Sequence, residues 1–315
     1  MIRGELILLI ARINIIIIHL KLLSRGEVLF LWLINLKQMN MNFRFSIIFL
    51  MLFALGFSQD LKVMSFNIRL QVESDKENAW TERKQDAVDL LNYYHPDYFG
   101  VQEALPEQMK DIKSGLKNYD YVGVGRDDGK EKGEFSAIFY DTNSLQVLNS
   151  GTFWLSETPE KPSKGWDAAY NRVCTYAVFK DKKSKKEFLA MNLHFDHIGN
   201  VARVKSADLI LKKIKEINPK NLPVTLSGDF NLTDDTEPIK ILSQNMKDSF
   251  SHSEAKHYGP VGTFTAFNVN EVPKDRIDYI FVKGFKIISH RHINDRRENL
   301  LYPSDHFPVL VDLQF

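Results

Sequence analysis

Leu226-Ser227-Gly228-Asp229-Phe230-Asn231 closes a run of β-formers (Val224, Thr225, Leu226) and then delivers a carboxylate and a carboxamide two positions apart. Residues i and i+2 leave an extended chain on the same side, so Asp229 and Asn231 can enter one site. Near the other end, Ser304-Asp305-His306 is followed at once by Phe307, Pro308 and an apolar strand. Polar residues cut into the ends of apolar strands at distant points of a chain imply a cleft assembled across those strand ends.

Working outward, the pattern recurs. Leu61–Ile68 reads as a strand with Asn67 near its end, and Trp80, Arg83, Ala87, Leu90, Leu91 and Tyr94 follow at helical spacing until Pro96. Tyr98–Val101 is a short buried strand ending in Gln102-Glu103, and Pro106 opens a second helix at its first turn. Tyr119–Val124 and Phe135–Tyr140 read as strands around a Gly- and charge-rich loop, Gly125–Gly133. Arg172–Lys180 and Glu187–Leu193 form a hairpin about the Lys-rich turn Asp181–Lys186. Ala207, Ile210, Leu211, Ile214 and Ile217 mark a third amphipathic helix. Strands follow at Pro223–Ser227, Arg276–Val282 and Val309–Leu313. Strands dominate with helices interspersed, which predicts two sheets packed as a sandwich and covered by helices.

The 315 residues are 44% hydrophobic and 26% charged, ordinary globular values with no internal repeat or low-complexity tract. A formal net charge of +1 provides no global field for nucleic acid or acidic membranes. The single Cys174 excludes an internal disulfide framework and reads as a buried, inert thiol. Met41-Asn42-Phe43-Arg44, an apolar run from Ile47 to Phe57 and then Ser58-Gln59 have the pattern of a secretory signal over 41–58. Cleavage is expected after Ser58, giving a secreted or periplasmic chain without stable membrane insertion, since the apolar run is shorter than the roughly 20 residues a spanning helix needs. A retained N-terminal anchor is the alternative. Residues 1–40 fit no targeting pattern and read as an upstream extension, with the start at Met39 or Met41. Residues 59–315 then form one catalytic domain.

The polar groups at strand ends are Asn67, Glu103, His194, Asp229 with Asn231, and Asp305-His306, while Asp278 follows Ile277 in another strand. Singly, a strand-end Asn or Asp is most often a turn or cap residue, and a lone His a satisfied one. Together they define a narrow chemistry. Carboxylates and an amide oxygen, with no Cys and few His, favour a hard cation such as Mg²⁺ or Mn²⁺, where zinc would ask for more imidazole or thiolate. A hard cation flanked by imidazoles suits phosphoester hydrolysis.

The set resembles the endonuclease/exonuclease/phosphatase superfamily. The matching blocks are MSFNIR (64–69), VQE (101–103), GEFSAIFY (133–140), NLHFDH (192–197), SGDFN (227–231), RIDYIFV (276–282) and SDHFPV (304–309), in family order across nearly all of the chain after residue 58. The resemblance implies a deoxyribonuclease I-like α/β (α+β) fold, a four-layer α/β/β/α sandwich of two mixed β-sheets flanked by helices. It implies metal contacts at Glu103, Asn67 and Asp305. Asp229 would orient or deprotonate the attacking water, Asn231 would hold a phosphate oxygen, and His194 and His306 would grip the scissile phosphate. Asp278 would fix the tautomer of His306, and Glu134 would be the matching partner of His194. Arg172, Arg203, Asp196, His197 and Trp166 are candidate substrate contacts. Each has an ordinary alternative in a helix salt bridge, a loop residue or simple packing.

Thr152–Pro159, Gly165–Asp167 and Gly262–Phe267 resemble the deadenylase-like branch and its secreted bacterial relatives. Trp154, Trp166 and Phe267 could line a rim that stacks a base or sugar. Strong nucleic-acid binding would carry a basic face, and the only cluster is the turn with Lys180, Lys182, Lys183, Lys185 and Lys186, which as a hairpin tip is ordinarily solvated. The expected partner is therefore a small phosphoester (nucleotide, sugar phosphate, lipid headgroup or short nucleic acid) acted on by a monomer. A nuclease on single strands is the runner-up, and a non-catalytic binding module on the same scaffold the reading from another class.

Overall fold

The structure, a computed structural model, describes residues 60–315, so the upstream extension 1–40 and the signal-like segment 41–58 lie outside the described residues. In β1 (Asp60–Asn67), Met64 and Phe66 leave one face while Leu61 and Val63 leave the other, and all four are buried. A strand covered on both faces reads as a near-continuous apolar run, which is why Leu61–Ile68 was legible.

The chain continues through a 3₁₀ segment (Glu73–Asn78), α1 (Trp80–Tyr94), β2 (Tyr98–Gln102), α2 (Pro106–Gly115), β3 (Tyr119–Val122), β4 (Ile138–Asp141) and β5 (Leu145–Trp154). Next come β6 (Val173–Asp181), β7 (Glu187–His194), α3 (Asn200–Ile217), β8 (Val224–Asp229), α4 (Glu237–Asn245), β9 (Lys247–Asp248) and α5 (Ser249–His252). The last strands are β10 (Asp278–Lys283), β11 (Lys286–His292) and β12 (Val309–Gln314). One six-stranded sheet has the order β11-β12-β1-β2-β4-β3, the other β5-β6-β7-β8-β10-β9. Pairs β1–β2 and β7–β8 are parallel, with α1 and α3 as their crossovers, and the remaining ladders are antiparallel.

Alternation along the strands builds three apolar cores. Met64 and Phe66 pack with Val88 and Leu91 of α1 and with Met109 and Ile112 of α2. Leu189, Met191 and Leu226 pack with Ala207 and Ile210 of α3 and with Ile239 and Leu242 of α4. Between the sheets, Val63, Tyr98, Phe179, Phe188, Ile280 and Val311 form the third. Three cores between four layers are the α/β/β/α sandwich expected from the sequence.

Close to the strand ends the interface between sheets turns polar. Asn192 donates to the carbonyls of Val101 (2.9 Å) and Ala137 (3.0 Å) and accepts from Gln102 Nε2 at 2.7 Å. Gly100 leaves room for it, since a Cβ there would lie 2.2 Å from Asn192 Oδ1. Gly100→Ala is therefore expected to destabilise the protein by about 1–3 kcal/mol, through displacement of a fully bonded buried amide, in urea or thermal unfolding. Wild-type stability in that variant would mean that the sheets can separate here without cost.

Of the longer elements, β5, β11 and α4 escaped the sequence reading, as did the short 3₁₀ segment, β9 and α5. β5 is an edge strand with irregular burial, β11 is the other sheet's edge, and α4 is only nine residues long. The stretch Phe135–Tyr140 is strand only from Ile138; Phe135 instead bridges Ala104 and Gly125. Trp154 is buried and donates Nε1–H to the Arg126 carbonyl at 2.7 Å, so it packs in the fold instead of lining a stacking rim. Cys174 is free and fully buried, as expected.

Candidate active site

The direction of the strands gathers the polar residues. β1, β2, β7 and β8 end at Asn67, Gln102 (just before Glu103), His194 and Asp229. β10 runs antiparallel to β8, with Asp278 opposite Asp229, and β12 runs antiparallel to β1, with Val309 opposite Ser65. The starts of these two strands thus lie at the same edge, and His306 stands three residues before the second. Glu103 and Asn231 sit at φ +62° and +52°, left-handed turns that redirect the chain just past each strand end.

Across the two sheets, Asn67 Nδ2 donates to Glu103 Oε1 at 3.1 Å and Asp229 Oδ2 at 2.9 Å and lies 3.5 Å from His306 Nε2. Its Oδ1 accepts the Arg69 N–H at 3.0 Å. Asn67 therefore meets the carboxylates through its amide nitrogen in this arrangement and holds its oxygen on the Arg69 N–H. Glu103, Asp229 and His306 each offer one ligand atom, all within 4.8 Å of one another. Asp305 is buried beside them but faces Arg69 Nε at 3.9 Å, with burial raising its pKa.

His306 Nδ1 donates to Asp278 Oδ2 at 2.8 Å, so the tautomer is fixed as expected and Nε2 points toward Asp229 Oδ2 at 3.8 Å. Burial alone would lower its pKa, but the charges of Asp278, Asp229 and Asp305 outweigh it and hold the imidazole well above its usual range. His194 is the opposite case: burial first, then Arg172 and Arg126, push it well below the usual range. Its Nε2 accepts from Asn231 Nδ2 at 2.9 Å, which leaves the proton on Nδ1. That Nδ1 is buried without a hydrogen-bond partner, 3.9 Å from Glu134 Oε2. Glu134 is instead bound by Arg126 Nη1 at 2.7 Å, so it neighbours His194 without locking it. The two imidazoles are thus shifted in opposite directions, His306 upward by its carboxylate neighbours and His194 downward by burial and two arginines.

The outer candidates separate. Arg172 is buried, contacts Asp196 Oδ2 at 3.4 Å and His197 Nδ1 at 3.1 Å, and keeps Nη1 without a hydrogen-bond partner. Arg126 Nε is likewise buried without a hydrogen bond, and its guanidinium lies 5.1 Å from the exposed Tyr170 ring. Sequence reasoning passed over Arg126 inside the loop Gly125–Gly133; a cation between two glycines was the available sign. His197 is exposed and stacks on Tyr170 at 5.9 Å.

Three expected contacts are otherwise employed. Arg203 is tied to the carbonyls of His197 (3.5 Å), Ile198 (3.5 Å) and Asn231 (3.4 Å) and to Asn200 Oδ1, fastening the loop after β7 to Asn231. Trp166 is half-buried, held through its N–H on the Glu157 carboxylate at 3.0 Å, and takes no part in the hydrogen bonds around His194 and His306. Asp196 is saturated by the N–H groups of Ile198, Gly199, Ala169 and Tyr170 and by Arg172. It is a loop organiser.

Burial alone would raise the pKa of Asp196, but the Gly199, Ile198 and Ala169 N–H groups and Arg172 bring it down to about 2. A depressed carboxylate contributes stability that is present above its unfolded pKa and lost as pH falls toward 2. Asp196→Asn is therefore expected to cost on the order of 2 kcal/mol at pH 7 and to flatten the loss of stability between pH 4 and 2, read by urea unfolding. An unchanged acid limb would deny the carboxylate this role.

The fit to a metal follows from the donor set. Glu103, Asp229, Asp278 and Asp305 crowd one buried edge, and burial and then the Asp278 charge raise the pKa of Asp229 to about 7. The carboxylates of Glu103 and Asp229 within reach of one point, in excess negative charge, suit a hard divalent cation, with His306 beside them.

A model of the endonuclease/exonuclease/phosphatase family matches residues 64–306. A solved family protein from Bacteroides thetaiotaomicron is 42% identical with a TM-score of 0.79, covering 82% of this chain and 95% of that one. A mannosyl-6-phosphatase from the same organism is 43% identical with a TM-score of 0.78, covering 81% of this chain and 100% of that one. The human Nocturnin catalytic domain matches at 19% identity and a TM-score of 0.65, covering 81% and 94%, a likeness of fold alone.

Proposed function

This chain belongs to the endonuclease/exonuclease/phosphatase family, and from that premise we propose that it hydrolyses small phosphomonoesters of the sugar-phosphate class with Mg²⁺ or Mn²⁺ bound. Members of the family are hydrolases of phosphoester bonds. The observation that carries the reading is the convergence of Glu103, Asp229 and His306 from two different sheets to within 4.8 Å. The substrate class is supported by the 43% identity to a mannosyl-6-phosphatase. It is also supported by a net charge of only +1, which offers little for a polyanion.

Glu103 and Asp229 would hold the cation. When bound it supplies charge neutralisation on the phosphoryl group and the leaving oxygen. Asp229 orients the attacking water and accepts its proton. His306, held charged by Asp278, donates to the phosphoryl oxygens as negative charge develops. Asn67 and Asn231 spend both amide hydrogens within the site, on Glu103 and Asp229 and on His194 and the Phe195 carbonyl, and so position those groups. The unspent N–H groups of Arg126, Arg172 and His194 suit oxygens of a compact anion.

Purified protein with Mg²⁺ or Mn²⁺ is expected to release inorganic phosphate from a hexose 6-phosphate faster than it cleaves bis(p-nitrophenyl) phosphate or a single-stranded oligonucleotide. Mononucleotides released from the oligonucleotide would move the assignment to the nuclease reading, and no hydrolysis of any of these would leave a binding module. Among the described residues no helix is long and apolar enough to cross a membrane. The segment 41–58 supports export of a monomeric enzyme to the periplasm or the medium. Fractionation and N-terminal sequencing should find a mature chain beginning at Gln59.

A further inference from the structure

We propose that His257, His290 and His292 form a second metal site, for a borderline transition-metal ion such as Zn²⁺, that shares no residue with the hydrolytic centre. One ring nitrogen from each lies within 4.8 Å of the others. His290 and His292 are two residues apart on β11, so their rings leave the same side of the strand. His257 comes from the loop after α5. His290 and His292 are buried and His257 is half-buried.

The hydrogen bonds decide which nitrogens are free. The Pro260 carbonyl can only accept, so His292 Nδ1 (2.8 Å) and His257 Nε2 (3.2 Å) must carry their protons toward it. His292 Nε2 and His257 Nδ1 are then lone pairs, and His257 Nδ1 is buried with no hydrogen-bond partner. His290 Nδ1 lies 2.9 Å from Ser249 Oγ, a group that can donate or accept. His290 can therefore hold its proton on Nδ1 and present Nε2, which already stands 3.0 Å from His292 Nε2. Two nitrogens on one tetrahedral zinc ion at about 2.0–2.1 Å would be about 3.4 Å apart, close to that spacing.

A backbone carbonyl or hydroxyl behind each ring is the usual means of orienting a metal-bound imidazole. The nearby Arg276 charge is met by Asp248 Oδ2 at 2.8 Å and Asp234 Oδ2 at 3.2 Å, so it does not face the histidines uncompensated. Three neutral imidazoles and no carboxylate favour a nitrogen-seeking ion, the opposite preference to the hydrolytic centre. An ion here would fasten the loop 253–262 to β11, and that loop leads directly to Thr263, whose Oγ1 accepts the Asp278 N–H at 3.2 Å.

The test uses full-length, metal-stripped protein in millimolar Mg²⁺, with Glu103→Ala as the parent so that Zn²⁺ has no full carboxylate site elsewhere. Calorimetric titration is expected to find one equivalent of Zn²⁺ bound with a Kd of about 10 µM or tighter. Co²⁺ should give the visible absorption of a tetrahedral nitrogen site, and the parent's Tm should rise with Zn²⁺. His257→Gln should weaken binding by at least about tenfold and remove the Co²⁺ band. His257 is the half-buried member, so its replacement spares the fold if the buried pair does not tolerate change, and circular dichroism verifies this. Weaker binding in the parent, or less than tenfold loss in His257→Gln, overturns the site. Neither result touches the hydrolase reading, which depends on other residues.

Discussion

Replacing His306 by alanine should lower kcat by about 10²–10⁴-fold, leave KM nearly unchanged and leave the fold intact. The size follows from what the ring does. Its Nδ1 is occupied by Asp278 at 2.8 Å, so the charge is presented through Nε2, toward Asp229 and Asn67. A buried donor held in advance by a carboxylate costs no reorganisation when phosphoryl charge develops, and that is where electrostatic stabilisation counts most. Asp278 acts through His306, so Asp278→Asn alone should be damaging but should add little to His306→Ala. Additive losses would show that Asp278 has a separate role, and normal turnover in His306→Ala would remove the imidazole from the reaction altogether.

The sequence exposed the site better than it exposed the edges of the fold, and the cause is burial. Strands β1, β2, β7, β8 and β10 are covered on both faces, so each reads as an apolar run and its polar end stands out. β5 and β11, at sheet edges, alternate poorly and carry no such contrast. Polar type alone could not tell substrate contacts from scaffold. Asp196 and Arg203 look like free charged groups after a strand, yet one is spent on N–H groups and the other on carbonyls. Which donors stay unspent, as at Arg126 and Arg172, depends on packing between distant segments. The orientation of Asn67, nitrogen inward, is likewise set by the Arg69 N–H and not by the motif.

Asp229→Asn is expected to lower turnover by about 10²–10⁴-fold and, in the same variant, to erase a pH response of the metal-free protein. Burial and the Asp278 charge raise the pKa of Asp229 to about 7, against the pull of His306 and the Asn231 N–H. A carboxylate whose folded pKa is raised binds its proton more tightly when folded, so ionising it costs stability, fully so above pH 7 and not at all below the unfolded value. In chelator, the wild type should therefore lose about 1 kcal/mol between pH 6 and pH 8 from this group, and Asp229→Asn should lack that component. Mg²⁺ or Mn²⁺ should offset the loss in the wild type, because the cation favours the ionised form that water-free burial disfavours. Thermal unfolding at the two pH values, with and without metal, separates these cases. If the wild-type profile is already flat in chelator, or if metal raises the Tm of Asp229→Asn as much as that of the wild type, then Asp229 is not where the cation binds. Its share in holding the cation would then have to pass to Asp305, the other buried carboxylate beside Glu103.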